Sequence, residues 1–248
     1  MEDSFNAVQK ACKILSSFTF EEDSCSLVNI CCKTGFAKST VHRICATLVE
    51  EGFLVKSASS SKYSLTPKVF ELGSIAIQSL DIKSIASNHM LDIAQNTGET
   101  ARLFIENNFE RICIHAAESP SQVRLVAPLG IPLPLYLGAT GRVLVAWMEE
   151  GRREQFLTFL RNSPPTSFLG TIDQLTEKII DTRKKGYAVS FGERLSDIIS
   201  VAAPVFYGNN KVAALSISGP SYRFTDTKLQ ECINMVLETA GIINIQLR

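Results

Sequence analysis

The chain has 248 residues, of which 45% are hydrophobic and 20% charged, and its 25 Lys and Arg residues balance its 25 Asp and Glu residues. This composition indicates a globular protein with room for more than one core, and it excludes nucleic-acid binding through a uniformly basic surface. No apolar run approaches the roughly 20 residues needed to span a bilayer, and the acidic start at residues 1–3 is unlike a signal peptide. We therefore expect a cytoplasmic protein with no membrane partner.

The cysteines do not indicate a disulfide framework or a metal site. There are seven, an odd number scattered along the chain, which favours reduced thiols. One region holds four residues of metal-ligand type: Cys25, Cys31, Cys32 and His42. They lack the paired CxxC spacing of a zinc site, so the sequence predicts no metal and no cofactor.

Residues 27–44, LVNICCKTGFAKSTVHRI, have the spacing of a helix-turn-helix. Cys31 is a small residue where the first helix must approach the second, and Gly35 falls where a short turn needs positive φ. Apolar residues that would lock the two helices together are Ile30, Phe36, Val41 and Ile44. The pattern predicts two helices joined at Gly35, although Ala37 is a poor N-cap for the second.

The second helix, expected over residues 38–51, has an apolar face and a polar face. The apolar face comprises Val41, Ile44, Cys45 and Leu48. The polar face carries hydroxyl and basic groups suited to phosphates and base edges: Lys38, Ser39, Thr40, Arg43 and Thr47. Arg43 is the best candidate for base readout, because its guanidinium can donate two hydrogen bonds to guanine. A solvated surface helix has the same pattern, so the interpretation also depends on the turn before this helix and on the segment after it.

A β-hairpin is expected directly after this helix. Residues 52–55 and 63–65 have the pattern of short strands, joined by the Ser- and Lys-rich segment SASSSK. Lys56 and Lys62 would then lie near DNA phosphates. The sequence predicts a winged helix-turn-helix DNA-binding domain over residues 1–66, and binding would depend on this local basic patch.

A linker helix is expected over residues 67–82, because Thr66 and Pro67 have the order of an N-cap and a first helical residue. Its apolar side chains are Phe70, Ile75 and Ile77. They would be exposed unless they pack against a second copy of the chain or against their own domain. We expect a dimer interface here, and a two-fold dimer would bind an operator with an inverted repeat.

A second domain of mixed α and β character is expected over residues 83–248. Asp81 is expected to cap a helix that ends at Thr97-Gly98, and alternating segments around Asn107-Asn108 predict a hairpin. Further predicted features are a helix over 142–160, a loop at Pro164-Pro165, a helix from Asp173 to Lys185, two strands joined at Gly208-Asn209-Asn210, and a long helix capped by Thr225. Antiparallel hairpins with helices outside them predict an α+β fold.

Two hydroxyls on one strand indicate a polar cavity in this domain. Ser216 and Ser218 share one face of an otherwise apolar strand. Their partners would be a small polar ligand, or neighbouring backbone and water. Ala139 and Thr140 lie in a strand-to-helix turn, where N–H groups at a helix start suit a carboxylate; a tight turn alone gives the same pattern.

Five segments together resemble the IclR family of bacterial transcriptional regulators in order and spacing. They are GFAKSTVHRICATLVEEGFL, YSLTPKVFELG, APLGIPLPLYLGATGRVLVAW, GYAVSFGERLSDIISVAAPVF and ALSISGP. The resemblance implies a winged helix, a linker helix and an effector-binding domain with a GAF-like fold, assembled as homodimers or dimers of dimers. It also implies that the effector is a small carboxylate or an aromatic acid.

Carried over by position, the family's effector pocket is lined here by Leu125, Leu133, Ala139, Thr140, Ser190, Ser200, Ser216 and Ser218. The last two match the family motif directly. Ser190 stands where some members have Asp, Ser200 replaces a frequent Cys, and Thr140 stands where a small residue is usual. The resemblance thus implies a hydroxyl-rich pocket with no acid among its assigned residues, which suits an anion.

Three functions are compatible with the sequence. We predict a ligand-responsive transcription factor that is not an enzyme. A serine-dependent enzyme is one alternative, because Ser59 to Lys62 match SxxK. No SDN accompanies this match, and the KTG at residues 33–35 precedes it and belongs to the predicted helix-turn-helix. No GxSxG, HExxH or phosphate loop occurs. The other alternative is a DNA-binding regulator whose second domain is purely structural.

Overall fold

The computed structural model describes residues 5–78, 80–126, 128–168, 170–208 and 211–248. The chain divides into two compact units, which we call the N-terminal unit (Met1–Ser79) and the C-terminal unit (Leu80–Arg248). Asn209 and Asn210 of the predicted turn lie outside the described residues.

The N-terminal unit combines helices with a small antiparallel sheet. Its helices are α1 (Ala7–Leu15), α2 (Leu27–Thr34), α3 (Lys38–Glu50) and α4 (Pro67–Gln78). Its strands are β1 (Ser24–Cys25), β2 (Leu54–Lys56) and β3 (Tyr63–Leu65), and β3 lies between the other two. The predicted helix-turn-helix and hairpin are confirmed, and β1 is an addition that the sequence patterns did not indicate.

The predicted apolar face of α3 is the face that packs. Ile14 of α1 and Ile30 of α2 are fully buried in the same cluster as the four α3 residues, Val41, Ile44, Cys45 and Leu48. Gly35 ends α2 in the left-handed region, with φ of 73°, and its N–H donates to the Cys31 carbonyl. Ala37 provides no side-chain cap, as its type implies. The turn therefore depends on Gly35 and the cluster more than on capping.

The C-terminal unit is built on an antiparallel sheet with the strand order β6-β5-β4-β9-β8-β7. The strands are β4 (Thr100–Asn107), β5 (Glu110–Ala117), β6 (Pro132–Pro134), β7 (Ala188–Phe191), β8 (Ile198–Tyr207) and β9 (Lys211–Pro220). The helices are α5 (Asp81–Thr97), α6 (Gly138–Ala146), α7 (Glu150–Asn162), α8 (Ile172–Lys185) and α9 (Asp226–Gln246). The mixed α and β architecture agrees with the predicted fold class.

Helices cover both sides of this sheet. Helices α5 and α9 pack against each other and against its strands, while α6 packs with α8. Phe104 and Ala214 belong to the core cluster that includes most of α6. Residues 213–220 of β9 are buried without interruption, which requires cover on both faces because successive side chains alternate. Polar side chains on β9 must therefore find partners inside the unit.

Three predicted boundaries were wrong. Leu80, not Asp81, is the N-cap of α5, and the Asp81 carboxylate lies in the first turn, where it still interacts favourably with the helix dipole. The helix expected over 142–160 is two helices, because the Glu149 side chain accepts hydrogen bonds from Gly151 and Arg152 and begins α7 there. Helix α4 ends at Gln78, so the linker expected over 67–82 is not one continuous helix.

The β4-β5 turn is shifted by one residue from its predicted position. Asn107 pairs with Glu110, and the two turn residues are Asn108 and Phe109, with φ of 51° and 65°. The Phe109 ring lies 5.6 Å from the Phe156 ring and 5.8 Å from the Phe159 ring. These ring contacts explain how a bulky residue occupies a conformation that usually selects glycine.

Replacing Gly35 by Ala is expected to destabilise the protein by about 1 to 2 kcal/mol, because alanine disfavours the left-handed backbone conformation at this position. The added Cβ meets no atom within 4 Å, so no steric clash contributes to this cost. Gly241→Ala on α9 is the matched control. It also meets nothing within 4 Å, but it lies in regular helix and should stabilise by about 0.5 to 1 kcal/mol. Urea unfolding of both variants measures the difference, and effects of the same sign would contradict this account of the turn.

Candidate nucleic-acid interface and ligand cavity

The polar face of α3 is open to solvent in the N-terminal unit. Lys38, Ser39, Arg43 and Thr47 are exposed and Thr40 is half-buried. The Thr47 hydroxyl donates to the Arg43 carbonyl at 3.3 Å, so it is engaged with its own helix. The buried face fixes the rotation of α3, and the basic and hydroxyl groups consequently point outward together.

The hairpin after α3 presents two further lysines. Lys56 and Lys62 are both exposed, and the Lys56 ammonium lies 5.5 Å from the Tyr63 ring centroid. The Ser57 N–H donates to the Lys62 carbonyl at 2.8 Å, which closes the loop between the strands. Lys33, by contrast, is committed to Glu22 at 2.7 Å. The hairpin has the form of a wing with a basic edge.

The start of α4 is tied to the turn that follows α3. The Thr66 hydroxyl donates to the Gly52 carbonyl, and the Lys68 ammonium donates to the Glu51 carbonyl. Helix α4 buries none of its described residues within the chain. Phe70 is 77% exposed and Ile75 is 63% exposed. This helix therefore presents an apolar surface that its own unit does not cover.

All eight residues assigned by position to a pocket line one cavity of about 40 Å³ in the C-terminal unit. The sequence patterns did not indicate the other residues that line it: Arg102, Phe104, Arg111, Gly138, Arg194, Leu195 and Ile198. Side chains from the sheet strands supply part of the lining, and the first residues of α6 supply another part. The cavity thus combines hydroxyls, guanidinium groups and a helix start.

A row of serines crosses three neighbouring strands on the cavity wall. Ser190 pairs with Ser200, and Ser200 pairs with Ser218. The Ser200 and Ser218 hydroxyls lie 2.8 Å apart. Ser216 stands opposite Arg102, and its hydroxyl donates to the Arg102 carbonyl at 3.3 Å. Neighbouring groups thus partner part of the row, and each hydroxyl oxygen retains capacity for a further hydrogen bond.

The first turn of α6 faces the same cavity. Ala139 and Thr140 are buried there, and the first N–H groups of a helix have no acceptor within the helix. The Gly138 N–H donates to Glu193 Oε2 at 2.9 Å. Leu137 at the N-cap position provides no side-chain bond. The helix start is therefore only partly capped by protein groups.

Two arginines on the cavity wall are buried, and neither pairs with a carboxylate among the residues that the structure describes. Arg102 is 4% exposed and Arg111 is 3% exposed, and the Nε atom of each has no hydrogen-bond partner in the structure. Arg111 Nη1 donates to the carbonyls of Pro134 and Leu137. Among the described residues that line the cavity there is no Asp or Glu. The cavity therefore carries unmatched positive charge.

Desolvation makes this charge costly. Burial, together with the nearby charge of Arg194, lowers the pKa of Arg102 to about 10 and that of Arg111 to about 9, although Glu193 offsets part of the effect on Arg111. Both guanidinium carbons lie near the Phe104 ring, at 5.6 and 5.9 Å from its centroid. The ring offsets only part of the lost hydration, so both groups stay charged near neutral pH at a cost in stability that an anion would reduce.

Glu193 lies near the cavity, but its carboxylate is already paired with other groups. It forms ion pairs with Arg142 and, at 3.8 Å, with Lys178, and it accepts the Gly138 N–H. Burial raises the pKa of this carboxyl, but the Arg142 guanidinium and the Gly138 N–H lower it more, so that it lies below its usual value. Glu193 is thus a neutralised anchor for the start of α6.

The residues of the alternative enzyme and metal sites are not gathered into a site in the described part of the chain. Ser59 and Lys62 of the SxxK match lie on the exposed wing loop. Within the described ranges, no group of three metal-ligating side chains comes together, and this includes the region of Cys25, Cys31, Cys32 and His42. No described helix has both the length and the hydropathy to cross a membrane.

Two family profiles together match nearly the whole chain. Residues 7–58 match the IclR helix-turn-helix domain, and residues 74–245 match the family described as bacterial transcriptional regulator IclR, C-terminal. The first match contains α2, α3 and strand β2. The second contains the cavity and the end of α4.

Individual relatives agree with these matches. The HTH-type transcriptional regulator KdgR of Escherichia coli is 32% identical over 247 residues, which is 99% of this chain and 94% of that protein. An IclR-family regulator from Brucella abortus has a TM-score of 0.86 at 26% identity, covering 100% of this chain and 95% of that one. An IclR homologue from Microbacterium hydrocarbonoxydans, complexed with 4-hydroxybenzoate, has the same fold at 21% identity, with a TM-score of 0.78 and coverage of 98% and 99%.

Proposed function

Because the chain belongs to the IclR family of bacterial transcriptional regulators, we propose that it binds a specific DNA operator with an affinity set by a small organic acid. The acid would occupy the cavity of the C-terminal unit. The observation that carries this proposal is the pair of buried arginines without a carboxylate partner, beside the serine row and the start of α6. We expect a bacterial protein with this function to act in the cytoplasm, where the DNA is located.

The DNA contacts would divide between base edges and phosphates. Arg43 lies on the exposed face of α3 and could reach a guanine through its planar guanidinium. Lys38, Ser39, Thr40 and Thr47 share that face, and Lys56 and Lys62 project from the wing. Single ammonium or hydroxyl groups at such positions contact phosphates, which fix the position of a protein on DNA without reading the base sequence.

Arg43→Ala is expected to lose about 1 to 3 kcal/mol of discrimination between specific and random duplexes, because a bidentate base contact is removed. Lys62→Ala should instead weaken binding to both duplexes and reduce the salt slope by about one unit. Binding titrations at several salt concentrations measure both effects, on an operator selected from random duplexes. Unchanged affinity and slope in both variants would place the DNA interface elsewhere.

Helix α4 supports a homodimer, or a dimer of dimers, on an inverted-repeat operator. One winged helix covers a single half-site, so two-fold symmetry in the protein would be matched by symmetry in the DNA. Phe70, Leu72 and Ile75 together expose a large apolar surface on one helix. A second copy of the same helix would bury this surface, and packing within the described N-terminal unit does not.

The double variant Phe70→Glu, Ile75→Glu is expected to shift the full-length protein toward monomer, because charged groups would oppose burial at the dimer interface. Sedimentation velocity at several protein concentrations measures the shift. Val28→Glu is the control, since Val28 is 59% exposed on α2 in the same unit. An unchanged sedimentation coefficient in the double variant would exclude α4 from the interface.

The effector would act by preferring one arrangement of the protein. Its carboxylate would meet the arginines, the serines and the first turn of α6, and Leu125 and Leu133 would cover its apolar part. The solved relative that carries 4-hydroxybenzoate also holds a carboxylate-containing ligand. Coupling between sites is reciprocal, so the effector and the operator should change each other's affinity by the same factor.

A serine-dependent enzyme is less well supported. The hydroxyl partners of Ser216 and Ser218 are a backbone carbonyl and another serine, and neither is a general base. The named relative is a transcriptional regulator, which agrees with a non-enzymatic role. A purely structural cavity would not account for the two buried Nε–H groups that have no acceptor.

Replacing both Ser216 and Ser218 by Ala is expected to weaken effector binding by about 1 to 3 kcal/mol, because two hydrogen bonds to the effector are lost. DNA binding without effector should change little. The acid is first identified by screening short aliphatic carboxylates and hydroxybenzoates for thermal stabilisation, and calorimetry then compares the double variant with Ser84→Ala, an exposed site on α5. Undiminished affinity in the double variant would contradict a ligand position against these serines.

A further inference from the structure

Three guanidinium groups border the cavity, and they lie at different depths. Arg102 and Arg111 are almost completely buried, whereas Arg194 is exposed beside Leu195. Resting on the proposed function, we propose that the effector is a short aliphatic dianion, with one carboxylate bound by Arg102 and Arg111 and the second bound by Arg194 at the mouth.

The enclosed end has the properties of a binding site for one carboxylate. Two Nε–H groups are buried there without acceptors, and a carboxylate accepts hydrogen bonds from guanidinium groups with favourable geometry. The Ser216 hydroxyl donates to the Arg102 carbonyl, and the first turn of α6 also lines the cavity. Several hydrogen-bond donors therefore face a single anionic group. Because one carboxylate carries one negative charge and the two arginines carry two positive charges, one guanidinium charge stays only partly neutralised.

Arg194 supplies a third positive charge, at the mouth of the cavity. Within the part of the chain that the structure describes, Arg194 forms no ion pair, although Glu193 is its neighbour in sequence. Its charge is close enough to disfavour the charged forms of both buried arginines. A ligand with one negative charge would leave this repulsion largely in place, whereas a second carboxylate near Arg194 would remove it.

Two partly or fully buried carboxylates of the C-terminal unit are engaged elsewhere. Glu193 is paired with Arg142, and Glu99 is paired with Arg223 at 2.6 Å. Recruiting one of them would leave a partner arginine uncompensated, at a cost comparable to the gain. The charge of the cavity is therefore available to a ligand and not to a rearranged side chain.

The size of the cavity favours a short aliphatic ligand. A volume of about 40 Å³ corresponds to space for about three water molecules, which a carboxylate group would fill. An aromatic ring is larger than this space, so a ring-bearing acid would have to extend out of the cavity. The remainder of the ligand would extend past Leu195, which is 42% exposed, toward Arg194.

The test compares dianions with matched monoanions on the full-length protein. Malonate and succinate are titrated against acetate and propionate at equal ionic strength, by calorimetry and thermal shift. Wild-type protein should bind a dianion at least tenfold more tightly than the matched monoanion. Arg194→Met should reduce dianion affinity to the monoanion level, and Arg102→Met should abolish the response to both. Arg161→Met, exposed on α7, is the control and should behave as wild type.

The ligand-free variants show whether a lost response reflects misfolding. Arg102→Met removes a buried charge without a carboxylate partner and keeps an unbranched side chain, so its melting temperature should rise above that of wild type. A lowered melting temperature would show that Arg102 has a structural role and would overturn its assignment to the ligand.

The two ways in which the proposal could fail are distinguishable. Equal affinity for dianions and monoanions, or an unchanged dianion preference in Arg194→Met, would overturn the dianion inference and leave an acid-binding cavity standing. No binding of any of these anions by wild-type protein would overturn both the inference and the proposed effector site.

Discussion

The register of β9 between β4 and β8 determines the cavity. Hydrogen bonding in this ladder sets Ser216 opposite Arg102 and Ser218 opposite Ser200, and the pairing of β7 with β8 adds Ser190 to the row. A shift of one residue would exchange the faces, placing Leu215 and Ile217 on the cavity wall and the serines on the other side. The sheet register therefore decides whether this part of the unit is polar or apolar.

Six arginines of the C-terminal unit fall into two groups. Arg142, Arg152 and Arg223 are paired with carboxylates and hold loops and helices to the sheet. Arg102, Arg111 and Arg194 are not, and all three border the cavity. Burial of an unpaired charge is expensive, so Arg102 and Arg111 lower the stability of the unit unless an anion compensates them. This contrast underlies the proposed preference of the cavity for anions.

In the N-terminal unit, the candidate DNA-binding site is an exposed surface and not a cavity. Burial of one face of α3 against Ile14 and Ile30 fixes the rotation of the helix, and the polar face is exposed as a consequence. The hydrogen bonds from Thr66 and Lys68 join the turn after α3 to α4, whose apolar side remains uncovered. The proposed DNA contacts and the proposed dimer contacts thus lie on elements that are connected directly.

The sequence by itself determined the local features. Residue spacing located α2, Gly35, α3 and the wing, since helix periodicity and turn chemistry depend on neighbours in the chain. Family resemblance also located eight residues that the structure gathers in one cavity. It did not reveal Arg102 and Arg111, because a charged residue in an alternating strand ordinarily faces solvent. Only the tertiary structure, by covering both faces of the sheet and pairing β4 with β9, placed these side chains where water is excluded and no carboxylate compensates them.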